Sequence, residues 1–443
     1  MDAAARKQLI IELCSFEGRW PGTDAERRAA NMLVGWLRGM GRRAELEPTY
    51  VHPEYSLVLA LHVALALIGS LVALASPPVG FVLVLVSATS LYLDQNTRLY
   101  LIRRLFFRRA SQNVVSPGPN PGAPARLILS AHYDAAKTGF VFGPRSTRTA
   151  KGLSERARLL LGPIRQFFWG GIVPLLAITG VRLAGADPGW LGIVQLFPTL
   201  ILLVTFVLLL DIALSEIVPG AYDNASGVAS VLSVADALAA EPPANLDVWV
   251  VLPGAEECNA EGMARYVGAH RSELDRESTF FLNLDSTSYG SVHYLRTEGA
   301  IVSYSMDRRL VELCDAIAAA DRENGDRYQA RPIRIPFHTD ALPAVIRGFR
   351  AISLVGAEDG VGPPYYHTPE DTPDFRQNLG RLNDAFTFGG AGPGHTYFAR
   401  WTQTRIDHLL ASPDFQIRHC TIAPSVHSAH RPLITDLQLP APK

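Results

Sequence analysis

Apolar residues follow three different rhythms along the chain. Residues 5–15 and 24–41 carry them three and four positions apart, which predicts two amphipathic helices. Pro21–Gly22 marks the turn between them, and Thr23 or Asp24 is placed to cap the second. The runs "RLILSA" (126–131), "DVWVVLP" (247–253), "TFFLNL" (279–284) and "AISLV" (351–355) are short and nearly all apolar, as strands buried on both faces are. Helical spacing returns at 225–240, 260–272 and 306–321. Strands alternating with helices predict an α/β domain whose sheet is covered on both sides.

The third rhythm has no polar face. From Ser56 to Leu93 there is no Asp, Glu, Lys or Arg, and Pro77–Pro78 interrupts the run. That length suits two membrane spans of roughly 17–21 residues joined by a tight turn. A second stretch, Gln166 to Leu210, is broken around Arg182 and "ADPGW" (186–190). It divides into a weaker span and a strong one, "WLGIVQLFPTLILLVTFVLLL". Buried core helices are usually apolar on one stripe only, and this run is apolar all round. Four transmembrane helices are therefore expected, as two hairpins inserted into the α/β domain. The expected organisation is 1–50 as N-terminal helices, 54–95 as the first hairpin, 111–162 as the domain's first strand segment, 166–214 as the second hairpin and 220–411 as the rest of the domain. Residues 412–443, rich in Pro, Ser and His, are expected to form a loose tail.

Charge orients the hairpins. Arg98, Arg103, Arg104, Arg108 and Arg109 follow the first; Arg145, Arg148, Lys151, Arg156, Arg158 and Arg165 precede the second. The inner turns carry almost none, Arg182 excepted. The positive-inside rule then predicts a multi-pass protein of the cell membrane whose α/β domain faces the cytoplasm. The N-terminus lacks the apolar run of a signal peptide. With 41 basic against 42 acidic residues, the chain has no broad basic surface, which argues against nucleic acid as a partner. Cys14, Cys258, Cys314 and Cys420 form no C-x-x-C pair, so neither a disulfide framework nor a zinc knuckle is expected.

The candidate chemistry lies at the ends of the elements, where ligands bind in such sheets. "RLILSA" runs into His132 and Asp134, "DVWVVLP" into Glu256 and Glu257, and "TFFLNL" into Asp285. Asp223 precedes a helix in "PGAYDNASG", and His367 stands in "YYHTPEDTPD". Adjacent glutamates at the end of a buried strand repel unless a cation lies between them. Imidazoles with carboxylates are the ligand set of Zn²⁺, and more than four of them suggest two ions. Neither the G-x-S-x-G of serine hydrolases nor a Walker A loop occurs.

These stretches resemble the aminopeptidase Y-like two-zinc exopeptidases, which include bacterial leucyl-type aminopeptidases, glutamate carboxypeptidases and glutaminyl cyclases. "SAHYDAAKTG", "PGAYDNASGVASVLSVADAL", "LPGAEECNAEGMARYV", "FLNLDSTSYG" and "YYHTPEDTPD" carry the likeness, with a softer match in "FEGRWPGTDAERRAANMLVGWLRGMGRRAELE". The resemblance implies a twisted mixed sheet between helical layers and two Zn²⁺ per chain. It implies that Asp223 bridges both ions, that His132 and Asp285 complete one site, and that Glu257 and His367 complete the other. Asp134 would orient His132, Glu256 would be the general base, and Tyr366 would steady the oxyanion. The expected activity is that of an aminopeptidase on peptide substrates, anchored in the lipid bilayer. A carboxypeptidase or glutaminyl cyclase with the same metal set is the alternative, and an inactive scaffold a lesser one. The sequence departs from simple members in the insertion of the second hairpin between His132 and Asp223. It carries no signal for oligomeric state.

Overall fold

The computed structural model describes residues 1–373 except Arg327, together with short strands between 383 and 438. The chain begins with α1 (Ala3–Cys14) and α2 (Asp24–Gly39). Thr23, not Asp24, caps α2 by accepting the Glu26 N–H, while Asp24 and Glu26 favour the positive end of the helix dipole. Then follow β1 (Glu45–Val51), α3 (Tyr55–Val72), α4 (Pro77–Gln95), β2 (Arg109–Ser116) and β3 (Ala125–Ser130). The second insertion holds α5 (Pro144–Lys151), α6 (Glu155–Leu160), α7 (Pro163–Gln166), a π turn, α8 (Val173–Leu183) and α9 (Trp190–Leu214). The remainder is α10 (Ser226–Ala240), β4 (Leu246–Leu252), α11 (Glu261–Ala269), β5 (Thr279–Asp285), β6 (Ser291–Glu298), β7 (Tyr304–Ser305), α12 (Arg308–Glu323), β8 (Arg331–Arg334), α13 (Leu342–Ile346) and β9 (Arg350–Ala357).

The strands make one nine-stranded mixed sheet in the order β1-β2-β4-β3-β5-β9-β6-β7, with β8 beside β6. The central β4, β3, β5 and β9 are parallel and correspond to the four apolar runs. Burial is heaviest in their last residues, next to the ligand-bearing loops. On one face α1, α2 and α10 bury Leu9, Leu13, Leu33, Leu37, Val228 and Leu232 against the sheet. The other face is covered by α11 and α13, with Met263, Tyr266, Phe281, Leu295 and Phe349. Each fully buried side chain of this kind contributes roughly 1.5–3 kcal/mol. The protein is thus an α/β fold with its sheet covered on both faces, as the patterning predicts, and the sheet is the twisted mixed one that the resemblance implies.

The helix expected over 260–272 stops at Ala269, where the His270 ring is held by Glu47 and Glu273. Four helices, Tyr55–Val72, Pro77–Gln95, Pro163–Leu183 and Trp190–Leu214, are long and apolar enough to cross a membrane. They pack around Leu59, Val63, Leu91, Phe168, Leu175 and Leu202. On their outer side Ile193, Phe197, Val204 and Val207 are each more than half exposed, a surface that water does not favour.

Both insertions leave the sheet at one edge. β1 pairs antiparallel with β2, and β2 antiparallel with β4, so β1 runs in the same direction as β4. Val51, where the first hairpin begins, therefore lies at the carboxyl edge of the central strands. β3 reaches the same edge before the second insertion. There a bridge between Lys137 and Ile217 closes the neck, with the Thr138 N–H donating to the Glu216 carbonyl and the Val218 N–H to that of Ala136.

Asp374–Lys443 forms a separate unit. Within the segment expected to be a loose tail, Gln416–Ile422 pairs antiparallel with Leu433–Gln438. The rest of that segment, and most of 374–411, lies outside the described residues.

Candidate metal centre

Each expected ligand leaves a different element of the same sheet edge. His132 follows β3, Asp285 ends β5, and Glu256 and Glu257 stand in the loop after β4. Asp223 lies in the turn before α10. Asn224 fixes that turn, donating to the Leu284 carbonyl and accepting the N–H groups of Gly227 and Ser286. A Cβ at Gly227 would meet Asn224 Oδ1 at 2.1 Å, so only glycine lets this turn close against β5. Arg19, buried, joins the two halves of the centre: it donates to the carbonyls of Tyr133 at 2.8 Å, Pro219 at 2.5 Å and Gly220 at 2.8 Å.

The fold brings all five expected ligands together. Asp223 stands between the two imidazoles, its Oδ1 3.2 Å from His132 Nε2 and its Oδ2 3.0 Å from His367 Nε2. Asp285 Oδ1 lies 4.0 Å from His132 Nε2, and Glu257 Oε1 3.8 Å from His367 Nε2. Single donor atoms of His132, Asp223 and Glu257 all lie within 4.8 Å of one another. Asp134 sits behind His132, its Oδ1 3.5 Å from Nδ1, and accepts the backbone N–H groups of both Glu256 and Glu257. Glu256 Oε2 is 3.9 Å from His132 Nε2. The Tyr366 ring stacks on His367 with centroids 3.9 Å apart, and Phe142 meets His367 edge-on at 4.6 Å.

Burial dominates the electrostatics. It pushes the Glu256 and Glu257 carboxyls well above their usual range, and lifts Asp285 to about 6. Asp223 moves down in spite of burial, because the His132 and His367 imidazoles lie against its two oxygens. His132 moves up against burial through Asp134 and Asp223. Burial, with carboxylates nearby, holds the Tyr366 phenol well above its ordinary value, so it remains an O–H donor.

Both ring nitrogens of His132 and Glu257 Oε1 are buried and lack a hydrogen-bond partner. A bound cation would satisfy these buried atoms and offset the converging carboxylates. The nitrogen and oxygen set is one that zinc accepts, so the residues fit that ion.

Several residues here escape sequence reasoning. His338 Nε2 lies 3.8 Å from Glu256 Oε1, and burial, then the charges of Arg103 and His132, lower its pKa to about 4. Asp340 is fully buried with neither oxygen paired. The pair repeats the H-x-D spacing of His132 and Asp134, a signal that could have found it. Asp371 accepts the N–H groups of Tyr222 and Asp223 and so fixes the backbone that carries Asp223.

Solved structures with a similar course include the glutaminyl cyclase of Bacteroides thetaiotaomicron bound to N-acetylhistamine, at 14% identity and TM-score 0.47, over 84% of this chain and 91% of that one. A Zn-dependent exopeptidase from Parabacteroides distasonis matches at 12% identity and TM-score 0.47, again over 84% and 91%. A leucine aminopeptidase precursor from Bacteroides thetaiotaomicron matches at 14% identity and TM-score 0.45, over 84% and 89%. No curated protein matches. Residues 210–386 match Peptidase family M28. That segment, which contains Asp223, Glu256, Glu257, Asp285 and His367, is similar to Peptidase family M28.

Proposed function

We propose that the protein is a membrane-anchored two-zinc exopeptidase that removes amino-terminal residues from peptides. The observation that carries this reading is Asp223, which offers one oxygen to the His132 side and the other to the His367 side. His132, Asp223 and Asp285 would hold one ion; Glu257, Asp223 and His367 would hold the second. Bound zinc supplies Lewis-acid polarisation of the scissile carbonyl and makes water acidic enough to attack near neutral pH.

The protein's own groups do the rest. Glu256 takes the proton of the attacking water and passes it to the leaving amine. Its backbone N–H is fixed by Asp134, so the base and the ligand beside it are set by one carboxylate. The Tyr366 phenol, held protonated, would donate a hydrogen bond to the developing oxyanion. Four apolar helices anchor the chain, and the Arg and Lys residues at their flanks favour a catalytic domain on the cytoplasmic side.

The test is metal content and product analysis on protein purified without chelator. Two zinc ions per chain are expected, with release of free amino acids from peptides that have a free amino terminus and none from amino-blocked ones. Chelator should abolish release and zinc should restore it. Protein that binds no zinc, or releases residues from blocked peptides by their carboxyl ends, would overturn the reading.

A further inference from the structure

Arg103 lies outside the centre yet is fully buried, as are its carboxylate partners Asp94 and Glu261. It follows the first hairpin in a short 3-10 turn, Ile102–Leu105. Its Nε and Nη2 donate to Asp94 at 2.8 and 2.6 Å, a two-pronged grip on the last turn of α4. Its Nη1 reaches further, donating to the Cys258 carbonyl at 2.8 Å and to Glu261 Oε2 at 3.3 Å. Cys258 is the residue after Glu257.

Apart from the Arg265–Glu261 pair within α11, the neighbouring ties have the same two ends. The His52 N–H and ring bind Glu261, just before α3 begins. Asn259 Nδ2 donates to the Asp94 carbonyl at 2.9 Å, and the Cys258 thiol faces the Pro53 carbonyl. Glu261 is drawn down to about 2 against the effect of burial, by the His52 hydrogen bond and the charge of Arg103. The loop that follows the two glutamates is thus bound to both ends of the first hairpin, while Asp134 binds the glutamates' own N–H groups. A clamp that served only to close the hairpin would need Asp94 and Arg103 alone. Removing one partner of a buried ion pair leaves an uncompensated charge, so these groups are held to one arrangement.

We propose that Arg103 is a positioning residue for the catalytic base. Through Asp94 it makes the first hairpin a rigid arm of the 256–261 loop, and so sets where the Glu256 and Glu257 carboxylates stand. This rests on the roles given to those two residues under Proposed function. Unseating the hairpin would loosen the base before it disturbed the sheet.

The test uses the full chain in lipid nanodiscs, comparing wild type, Arg103→Lys, Arg103→Met and Asp94→Asn. Amide hydrogen exchange at 256–262 should rise by about tenfold or more in Arg103→Met, while β5 stays protected. On peptide substrates kcat should fall about 10–100-fold with KM within about twofold, and Arg103→Lys should recover part of the loss. Unchanged exchange at 256–262, or equal loosening of 256–262 and β5, would overturn the proposal. If Arg103→Met fails to fold, Asn259→Ala removes one tie without unpairing a charge, and the same local exchange decides. A wild type without peptidase activity would sink the functional reading alone, because the exchange measurement does not depend on turnover.

Discussion

At the scale of single residues, Glu256 and Glu257 are chemically identical neighbours with opposite assignments. Glu257 Oε1 points toward His367, whereas Glu256 lies between His132 and His338. Glu256→Gln should therefore keep its metal and lose kcat by roughly 10²–10⁴-fold. Glu257→Gln should lose metal at one site; zinc analysis beside kinetics separates the two outcomes. A second titratable residue governs stability instead. Glu26 on α2 is buried, accepting the Ser111 hydroxyl and the Gly22 N–H, and burial followed by the Asp134 charge pushes it up to about 8. Its folded pKa exceeds the ordinary 4.5, so the folded state holds the extra proton between those values. The stabilisation is complete below about 4.5 and is lost as pH rises through about 8, at up to about 1.4 kcal/mol per pH unit. Melting temperature should fall across that window in wild type, and Glu26→Gln should flatten the profile.

At the scale of elements, the loop after β4 is fixed by close backbone packing. A Cβ at Gly262 would lie 1.8 Å from the Gly254 carbonyl oxygen, where α11 starts against the strand end. Gly262→Ala should cost about 1–3 kcal/mol, read as a lowered melting temperature, and should reduce turnover because the glutamates lie between these glycines. The elements that patterning foretold are those whose environment is uniform. β3, β4, β5 and β9 are buried on both faces and read as apolar runs, and α2 has one clean apolar stripe. β1, "ELEPTYV", and β2, "RASQNVVS", escaped because their antiparallel pairing lets them keep polar residues. His132, Glu257 and Asp285 were legible because they end or follow strands of that uniform kind, whereas Asp223 and His367 lie in loops and were legible through the motifs "PGAYDNASG" and "YYHTPEDTPD". Arg103 was not, since its partner Glu261 is brought to it by the fold from 158 positions away, and His338 and Asp340 were passed over although they share the H-x-D spacing of His132 and Asp134.

At the scale of the whole molecule, the proposed topology of the hairpins can be tested directly. A cysteine at Gly189, in the turn between α8 and α9, should label from outside intact cells, and a reporter fused after Lys443 should stay cytoplasmic; the reverse pattern would place the catalytic domain outside. Arg182 does not oppose this, because it is neutralised locally: it donates to Gln195 at 3.1 Å and pairs with Asp187 in the turn itself. The shared edge from which both hairpins leave has a kinetic meaning as well. For a chain seated in a bilayer, that edge gives onto a thin layer beside the headgroups. A peptide with one end still in the lipid searches that layer in two dimensions, at an effective concentration on the order of millimolar. A free peptide has no such advantage, and a bulky folded chain meets the bilayer first. On the proposed reading, selection among substrates would begin with confinement, before any side-chain pocket is consulted.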